Sequence, residues 1–473
     1  QKSEHRPLNF ATFGAMASDG SASASRMALK RLAARKEVGD QEGPGFVLSR
    51  RGAKLRRLHG DEVEDTLLLG AACSEVFSGP RLARVLRPAL EHQRRTIEAL
   101  EKDDAVEPLS IHTSAGVPAA LSSFLQCLEA HLPKSPVDGN GEGKTNDWFV
   151  NLQVEGATAV WAGVEALAHL RQLASDEMNK ECLLGVAEAS YHGPVTTALG
   201  QPALPRWPNA PRSVGQVLYP VPPHAAATDG KVREAYLQQF DAFLTANPQV
   251  GVFLFEPQWG SSRLARMWPP ELLREVIARC HAAGAFVLCD EVMCGLGRHG
   301  QKTLFLSAAW DLRCDAVTFG KSMASGVFPL SGVAVLHGAN ALGGKKLMQG
   351  HTYAGASTLA YLTATEILKT LPNWFGRANT LGCMVREILG PCEDDSFFGL
   401  YGQGFLWGGE FFDSKVVLKD VEEACHKKKV WPYIVASPHL GFMITPPMDI
   451  DQEDFRQGLE RLKDVIIMLH EKK

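Results

Sequence analysis

Apolar runs of strand length alternate with helical patterns between about residue 107 and residue 360. Three of these runs, at 252–255, 285–289 and 316–319, are apolar at successive positions. Continuous apolar character is typical of strands in a parallel sheet, because helices cover both faces of such a sheet. The pattern therefore predicts a doubly wound α/β domain.

One helix can be predicted in detail between the first two runs. Pro270 suits the first turn of a helix, and Gly284 is typical of the residue just past a helix end. The apolar side chains between them recur on one helix face: Leu272, Leu273, Val276, Ile277 and Cys280. The segment predicts one strand-helix-strand unit.

The ends of the chain predict a second, smaller domain. The C-terminal segment has an amphipathic helical pattern that includes Phe455, Leu462 and Leu469. Residues 133–146 predict an exposed loop rather than a linker, because the α/β pattern resumes directly after them. We expect three segments: an N-terminal arm with part of the small domain in 1–106, a large domain in 107–362, and the rest of the small domain in 363–473.

The composition and charge limit the kinds of molecule that we predict this protein to bind. The 473 residues are 45% hydrophobic and 22% charged, with a formal net charge of −4. Long blocks of like charge and apolar runs of about 18 residues are both missing from the sequence, so neither nucleic acid nor a membrane is predicted as a partner. A small molecule is the partner that remains.

The cysteines indicate the compartment. Ten are scattered without a CxxC pair, which favours buried thiols in a reducing compartment over disulfides or a metal site. We therefore expect a cytoplasmic protein without a bound metal. Residues 21–36, rich in Ser, Ala and basic residues, leave open a transit remnant and with it a mitochondrial or plastid location; a plain basic arm is equally open.

Three predicted strands end in polar residues that apolar burial does not explain: Glu256, Asp290 and Lys321. Their spacings of 34 and 31 residues each equal one strand-helix-strand step. Ligands of open α/β sheets bind at the carboxyl ends of strands. A lysine that burial shields from water has a lowered pKa and can attack a carbonyl. The pattern predicts a site in which Lys321 reacts with an aldehyde cofactor.

The motifs around these residues resemble the class-III, or ω-aminotransferase-like, pyridoxal-phosphate enzymes of fold type I. Four motifs carry the resemblance in the family's order: FEPQWG (255–260), DEVMCGLGRHG (290–300), FGKSMASG (319–326) and GHTYAG (350–355). The resemblance covers roughly residues 45–465. It implies pyridoxal 5′-phosphate as the cofactor, a large domain with a mostly parallel seven-stranded sheet that binds it, and a smaller α+β domain built from both termini.

The resemblance also implies roles for individual residues. Lys321 would link to the cofactor as a Schiff base and then shuttle a proton, while Asp290 would keep the pyridine nitrogen protonated. Val292 and Tyr191 would pack on the two faces of the ring. The other cofactor contacts that it implies are Gly156, Ala157, Thr158, His192, Glu256 and Thr352. Tyr191 and His192 could also be ordinary packing residues, and Glu256 could only support an ion pair.

The phosphate would lie at the start of a helix after Gly156, Ala157 and Thr158, where free N–H groups favour an anion. Glu155, an acid beside this position, would have to point away from the phosphate. Thr352 would reach the phosphate from a neighbouring subunit. The resemblance thereby implies a homodimer with its active sites at the interface.

Two substitutions depart from the family pattern. Many members place an arginine three residues before a PPL-like motif to bind a substrate carboxylate, and several pair it with a glutamate after the EPxxG motif. Met443 and Ser261 stand at these positions here. Methionine offers no bidentate hydrogen bonds, so we predict weak discrimination for glutamate and 2-oxoglutarate through this position. Arg263 or Arg266 could replace the missing arginine.

The function that the resemblance implies is an aminotransferase that works in two half-reactions, from an amine donor to the cofactor and from the cofactor to an oxo acid or aldehyde acceptor. An aminomutase, epimerase or decarboxylase is the alternative, because the first chemical steps are shared. A non-catalytic protein that kept the fold is a third possibility. The intact Lys321 and Asp290 count against it.

Overall fold

The computed structural model describes residues 46–51, 53–59, 62–70, 73–105, 108–109, 118–133, 148–175, 182–188, 190–193, 215–336, 357–436 and 438–472. Thr352, the basic segment 21–36 and most of the predicted loop at 133–146 lie outside these ranges. The strands are β1 (Phe46–Arg51), β2 (Lys54–His59), β3 (Glu62–Leu68), β4 (Phe149–Gln153), β5 (Leu183–Ala187), β6 (Gln216–Tyr219), β7 (Val250–Phe255), β8 (Phe286–Asp290), β9 (Ala316–Phe319), β10 (Ser331–Val335), β11 (Phe398–Gln403), β12 (Leu406–Phe411), β13 (Val430–Trp431), β14 (Tyr433–Val435) and β15 (Gly441–Ile444). The α-helices are α1 (Gly79–Leu100), α2 (Ala119–Glu129), α3 (Gly156–Ser175), α4 (Gly230–Ala246), α5 (Pro270–Ala282), α6 (Leu306–Ala309), α7 (Thr358–Thr370), α8 (Phe375–Leu389), α9 (Leu418–Lys427) and α10 (Gln452–Glu471).

A seven-stranded sheet forms the centre of the fold, in the order β4-β10-β9-β8-β7-β5-β6. The strands from β9 to β6 are parallel to one another, and β10 runs antiparallel to both of its neighbours. This confirms the predicted mostly parallel sheet. The three continuous apolar runs are β7, β8 and β9, and all of their residues except Phe286 are buried.

Helices cover both faces of this sheet. α3 packs on one face, where its Val160 and Leu167 form a cluster with Leu254 and Leu288. α5 packs on the other face and buries the five apolar side chains that its sequence pattern predicts. Burial of the sheet on both sides explains why its strands are apolar at every position.

The two ends of the chain meet in a smaller sheet of order β1-β2-β3-β13. β13, from the C-terminal part, pairs in parallel with β3 from the N-terminal part. A third sheet has the order β11-β12-β15-β14. The predicted amphipathic helix is α10, which buries Phe455, Leu462 and Leu469. The small α+β part is therefore built from both termini, as predicted.

Three findings concern the chain as far as it is described. None of its helices there is long and apolar enough to cross a membrane. No group of three or more His, Cys, Asp or Glu side chains in the same ranges could hold a metal ion. All ten cysteines are free thiols, and six of them are buried.

The hairpin between β11 and β12 packs against the loop that follows the site strand β8. Its two-residue turn begins at Gly404, whose φ of +57° lies in the left-handed region. A Cβ at this position would lie 2.2 Å from the carbonyl oxygen of Arg298 and 2.5 Å from the amide nitrogen of Gly300. The N–H of Phe405 donates a hydrogen bond to the same Arg298 carbonyl at 2.6 Å. The turn therefore requires glycine both for its backbone conformation and for its close contact.

We expect Gly404→Ala to lower the free energy of unfolding by about 2 to 4 kcal/mol. The alanine would be strained in the left-handed backbone conformation, and its Cβ would also clash with the loop after β8. Chemical denaturation measures the effect. Gly376→Ala is the matched control, because Gly376 is exposed in the first turn of α8 and a Cβ there meets nothing within 4 Å. Equal stabilities of the two variants would contradict the tight contact.

Candidate active site

The three polar residues that the sequence places at strand ends lie along one edge of the central sheet. Glu256 directly follows β7, Asp290 is the last residue of β8, and Lys321 comes two residues after β9. These strands are adjacent and parallel, and their register sets Asp290 opposite Thr318. The carboxyl ends of the three strands therefore form one continuous edge.

Asp290 is held at this edge by three hydrogen bonds. Its side chain is buried, and His192 Nδ1 lies 2.7 Å from Oδ2. The Thr318 hydroxyl and the Val292 N–H both donate to Oδ1, at 2.9 Å and 3.1 Å. Burial opposes ionisation of the carboxyl, but these hydrogen bonds and the charge of His192 outweigh it and lower the pKa of Asp290. Asp290 is thus kept as a buried carboxylate.

His192 is the partner of this carboxylate. Burial disfavours its imidazolium form, but the hydrogen bond to Asp290 and the charges of Glu256 and Asp290 outweigh burial and raise the pKa of His192. Its other ring nitrogen, Nε2, is buried and has no hydrogen-bond partner among the residues that the structure describes. The family resemblance implies that His192 contacts the cofactor. In the structure its ring lies against the carboxylate of Asp290.

We expect His192→Phe to lower the free energy of unfolding by about 3 kcal/mol, because it leaves a buried carboxylate without its charged partner. The pKa of Asp290 is lowered, so its contribution is present above the ordinary value of 3.8 and is lost as pH falls through the folded-state pKa. The pKa of His192 is raised, so its contribution is present below 6.5 and is lost as pH rises through the folded-state pKa. The decrease in unfolding free energy caused by His192→Phe should therefore be largest between pH 3.8 and pH 6.5.

Urea denaturation across this pH range measures the difference between the wild type and His192→Phe. His192→Asn serves as the matched control, since its amide can still donate to Asp290 but carries no charge, and it should lose less stability. A difference that does not vary with pH would contradict an ion pair at this position.

Glu256 connects two segments of the site. Its Oε2 accepts a hydrogen bond from the Gly260 N–H at 2.9 Å, and its Oε1 accepts one from the Tyr191 N–H at 3.4 Å. Burial, together with the charge of Asp290, raises the pKa of Glu256 to about 7 against the opposing effects of His192 and the two N–H groups. Glu256 therefore holds the Tyr191 segment and the loop after β7 in place. The Tyr191 side chain itself is 42% exposed.

The start of α3 closely approaches the residues around Lys321. A Cβ at Gly156 would lie 2.7 Å from Cγ1 of Val292, and one at Gly320 would lie 3.4 Å from the same atom and 2.5 Å from the Ser331 hydroxyl. A side chain at Gly156 would displace Val292, and a side chain at Gly320 would displace Ser331. Two glycines thus bring the helix start, Val292 and the backbone next to Lys321 together.

The first turn of α3 has the features of an anion site. Ala159 donates its N–H to the Glu155 carbonyl at 3.1 Å, so the N–H groups of Gly156, Ala157 and Thr158 precede the first intrahelical hydrogen bond. The Thr158 hydroxyl also donates to this carbonyl, at 2.9 Å. The side chain of Glu155 is exposed. Free N–H groups at a helix start favour a phosphate or a carboxylate.

Lys321 begins a short 3₁₀ turn, Lys321–Ala324, with a φ of +48°. This left-handed conformation is unfavourable for a residue with a side chain and indicates a constrained position. Lys321 is half-buried, whereas the three residues that follow it in the turn are buried. The strained backbone therefore sets the position of the lysine at the strand edge.

The sequence expectation missed Thr318 and Glu291. Thr318 is the polar residue inside an otherwise apolar strand, and this interruption is a signal that could have revealed it. Glu291 is fully buried, and its carboxylate accepts hydrogen bonds from the N–H groups of Leu306 and Ser307. Its partners lie 15 and 16 residues away, at the start of α6, so no local pattern could predict them.

Comparison with known proteins gives the family. The sequence model of the class-III aminotransferases matches residues 148–466. The chain is 27% identical over 287 residues to an ornithine aminotransferase of Schizosaccharomyces pombe, a match that covers 58% of this chain and 62% of that protein. It is 26% identical over 226 residues to an ornithine aminotransferase of Bacillus subtilis, which covers 46% of this chain and 53% of that protein. The chain thus matches somewhat more than half the length of these curated relatives.

Solved structures share the fold over nearly the whole chain. An ornithine aminotransferase from Toxoplasma gondii superposes with a TM-score of 0.74 at 18% identity and covers 99% of this chain and 100% of its own. An (S)-enantioselective ω-transaminase from Thermomicrobium roseum superposes with a TM-score of 0.76 at 19% identity, covering 94% of this chain and 99% of its own. At these identities the structures establish the fold alone. The family match, which includes the strand ends with Glu256, Asp290 and Lys321, establishes that this chain belongs to the class-III aminotransferases.

Proposed function

We propose that this protein is a pyridoxal-phosphate-dependent aminotransferase that moves an amino group from an amine or amino acid donor to an oxo acid or aldehyde acceptor. The observation that carries the proposal is the buried carboxylate of Asp290, held ionised by three hydrogen bonds one strand away from Lys321. A carboxylate in such a position is suited to a cationic ring nitrogen. Membership in the class-III family supports the same reaction type.

The residues present fit the cofactor. Gly156 and Gly320 bring the start of α3 and the backbone next to Lys321 close to Val292, since a Cβ at either position would lie within 3.4 Å of Val292 Cγ1. The free N–H groups at the start of α3 suit the phosphate. The side chain of Glu155 is exposed to solvent, so it does not place a buried negative charge next to these N–H groups. We propose that Val292 and Tyr191 pack on opposite faces of the ring.

The cofactor, when bound, supplies an electron-withdrawing ring that stabilises negative charge on the substrate carbon. Asp290 would hold a proton on the ring nitrogen, because its lowered pKa keeps the carboxyl ionised. His192 supports this role by pairing with the same carboxylate. Lys321 would present its Nζ to the cofactor aldehyde and later carry a proton at that atom.

We propose further that the active form is a homodimer, with Thr352 of one subunit completing the phosphate site of the other. The family pattern in GHTYAG supports this, although the motif lies outside the described residues. The ten free thiols support a reducing compartment such as the cytoplasm.

A spectroscopic experiment with the purified, cofactor-saturated protein tests the reaction type. Ornithine or a simple primary amine should convert the absorbance of the bound cofactor to that of its amine form, and a stoichiometric oxo acid should reverse the change. Racemisation, rearrangement or loss of CO₂ without any carbonyl acceptor would contradict transamination and favour an epimerase, aminomutase or decarboxylase. A protein that takes up no cofactor would leave the non-catalytic alternative.

A further inference from the structure

Thr318 places a hydroxyl inside the apolar strand β9. It lies opposite Asp290 of β8, and its side chain is fully buried. A buried hydroxyl is unfavourable unless it forms hydrogen bonds. Thr318 forms two: its Oγ1 accepts from the Glu291 N–H at 3.2 Å and donates to Asp290 Oδ1 at 2.9 Å. Thr318 thus connects the backbone after β8 to the carboxylate at the end of that strand.

The direction of both hydrogen bonds follows from the groups that take part. The Glu291 N–H can only donate, so the Thr318 oxygen accepts from it. The ionised Asp290 can only accept, so the single hydroxyl proton of Thr318 points towards it. Hydrogen bonds in such a chain polarise one another, which strengthens the donation to Oδ1. The Thr318 hydroxyl is therefore a donor of fixed direction.

The two oxygens of Asp290 differ in the number of donors that they meet. A carboxylate has about four lone-pair sites, two on each oxygen. Oδ1 accepts from the Thr318 hydroxyl and from the Val292 N–H, at 2.9 Å and 3.1 Å, so both of its sites are used. Oδ2 meets one donor among the described residues, His192 Nδ1 at 2.7 Å. The site that remains open is on Oδ2.

The donors of Oδ1 are held by the backbone of the site edge. Thr318 is part of β9, and the N–H of Val292 belongs to the chain directly after β8. The Asp290 side chain keeps 7% of its surface accessible, whereas Thr318 has no accessible surface. A ligand can therefore reach the carboxylate, but it cannot replace Thr318 as a partner of Oδ1.

We propose that Thr318 is a positioning residue, which leaves Oδ2 of Asp290 as the oxygen that pairs with the ring nitrogen of the cofactor. The inference rests on the proposed function and adds to it a residue that acts through Asp290. Together with the Val292 N–H, the Thr318 hydroxyl fills Oδ1 and leaves one lone-pair direction for a cationic N–H group. It also opposes rotation of the carboxylate, since rotation would move Oδ1 away from both donors.

A crystal structure of the cofactor-loaded wild type tests the choice of oxygen. The ring nitrogen should lie within about 3 Å of the oxygen that contacts His192, and farther from the oxygen that contacts Thr318. A ring nitrogen that lies closer to the oxygen bound by Thr318 would overturn the proposal.

Thr318→Val tests the role of the hydroxyl, because valine keeps the shape of the side chain. The variant should lower kcat per folded molecule about 10-fold. The nitrogen NMR shift of a cofactor labelled at its ring nitrogen should also move towards the value of the unprotonated ring. Thr318→Ser restores the hydroxyl and should keep both properties close to those of the wild type.

Thr363→Val is the matched control. The Thr363 hydroxyl is fully buried in α7 and has no hydrogen-bond partner among the described residues. This variant should change neither kcat nor the nitrogen shift. If Thr318→Val lowered stability but left both properties at their wild-type values, Thr318 would have only a structural role and the proposal would be wrong.

A double-mutant cycle shows whether Thr318 acts through Asp290. In the Asp290→Ala background, Thr318→Val should lower kcat less than about twofold, because the group that it positions is already missing. A further loss of about 10-fold in that background would overturn the proposal.

Failure of the proposed function has a different signature, namely a wild type that takes up no cofactor and shows no spectral response to an amine. The contact between Thr318 and Asp290 can then still be tested in the cofactor-free full chain by NMR titration of the Asp290 carboxyl. Thr318→Val should raise the pKa of Asp290, because the hydrogen bond from Thr318 helps to lower it in the wild type. An unchanged pKa would overturn the role of Thr318 itself.

Discussion

Lys321→Ala should abolish turnover while the protein remains folded. Our proposal assigns to this lysine the reaction with an aldehyde and the proton transfer, so we expect kcat/KM to fall at least about 10³-fold. Stability should change little, because Lys321 already adopts a left-handed φ with a side chain and alanine has the same backbone restriction. Steady-state kinetics and thermal unfolding measure the two effects.

Two further variants make this result decisive. Lys321→Arg keeps the positive charge but provides no nucleophilic amine at neutral pH, and it should be equally inactive. Lys302→Ala removes an exposed lysine 19 residues away in the sequence and should keep full activity. Turnover by folded Lys321→Ala near the wild-type rate would exclude the assigned role.

Asp290→Ala should leave the cofactor bound but lower the rate about 10²- to 10³-fold, because it removes the preorganised charge that we propose acts on the ring. Asp290→Asn should have a similar effect on rate, since the amide keeps the shape of the carboxylate and loses its charge. The loss of this charge should also lower the pKa of His192, which Asp290 raises in the wild type. Kinetics, cofactor absorbance and NMR titration of His192 measure these three effects.

Asp315→Asn is a matched control for Asp290→Asn. Asp315 is also a buried carboxylate with a histidine partner, His281 Nε2 at 2.9 Å, but it lies just before β9, at the opposite edge of the sheet from Lys321. Its replacement should lower stability and leave the rate per folded molecule unchanged. Equal rate losses in the two variants would show that the effect of Asp290 is only structural.

The sequence predicts the central sheet well because burial on both faces leaves a continuous apolar signal in β7, β8 and β9. The same logic predicts the site edge, since polar residues at the ends of such strands are conspicuous: Glu256, Asp290 and Lys321. The antiparallel strand β10 was not predicted. Its residues, SGVAV, carry the same apolar pattern as a parallel strand and give no sign of direction.

The finer features of the site depend on contacts between distant residues. His192 and Asp290 are 98 residues apart, and no spacing rule links them. Arg266 pairs with Glu410, which is 144 residues away in the sequence. Thr352 lies outside the described residues, so its role at a subunit interface stays a prediction.

Hydride trapping tests the central claim most directly. The cofactor-saturated protein is reduced with borohydride, digested, and its peptides are mapped by mass spectrometry. We expect one stoichiometric adduct, on Nζ of Lys321 in the peptide that contains FGKSMASG. An adduct on another lysine, or none in folded and saturated protein, would contradict the account.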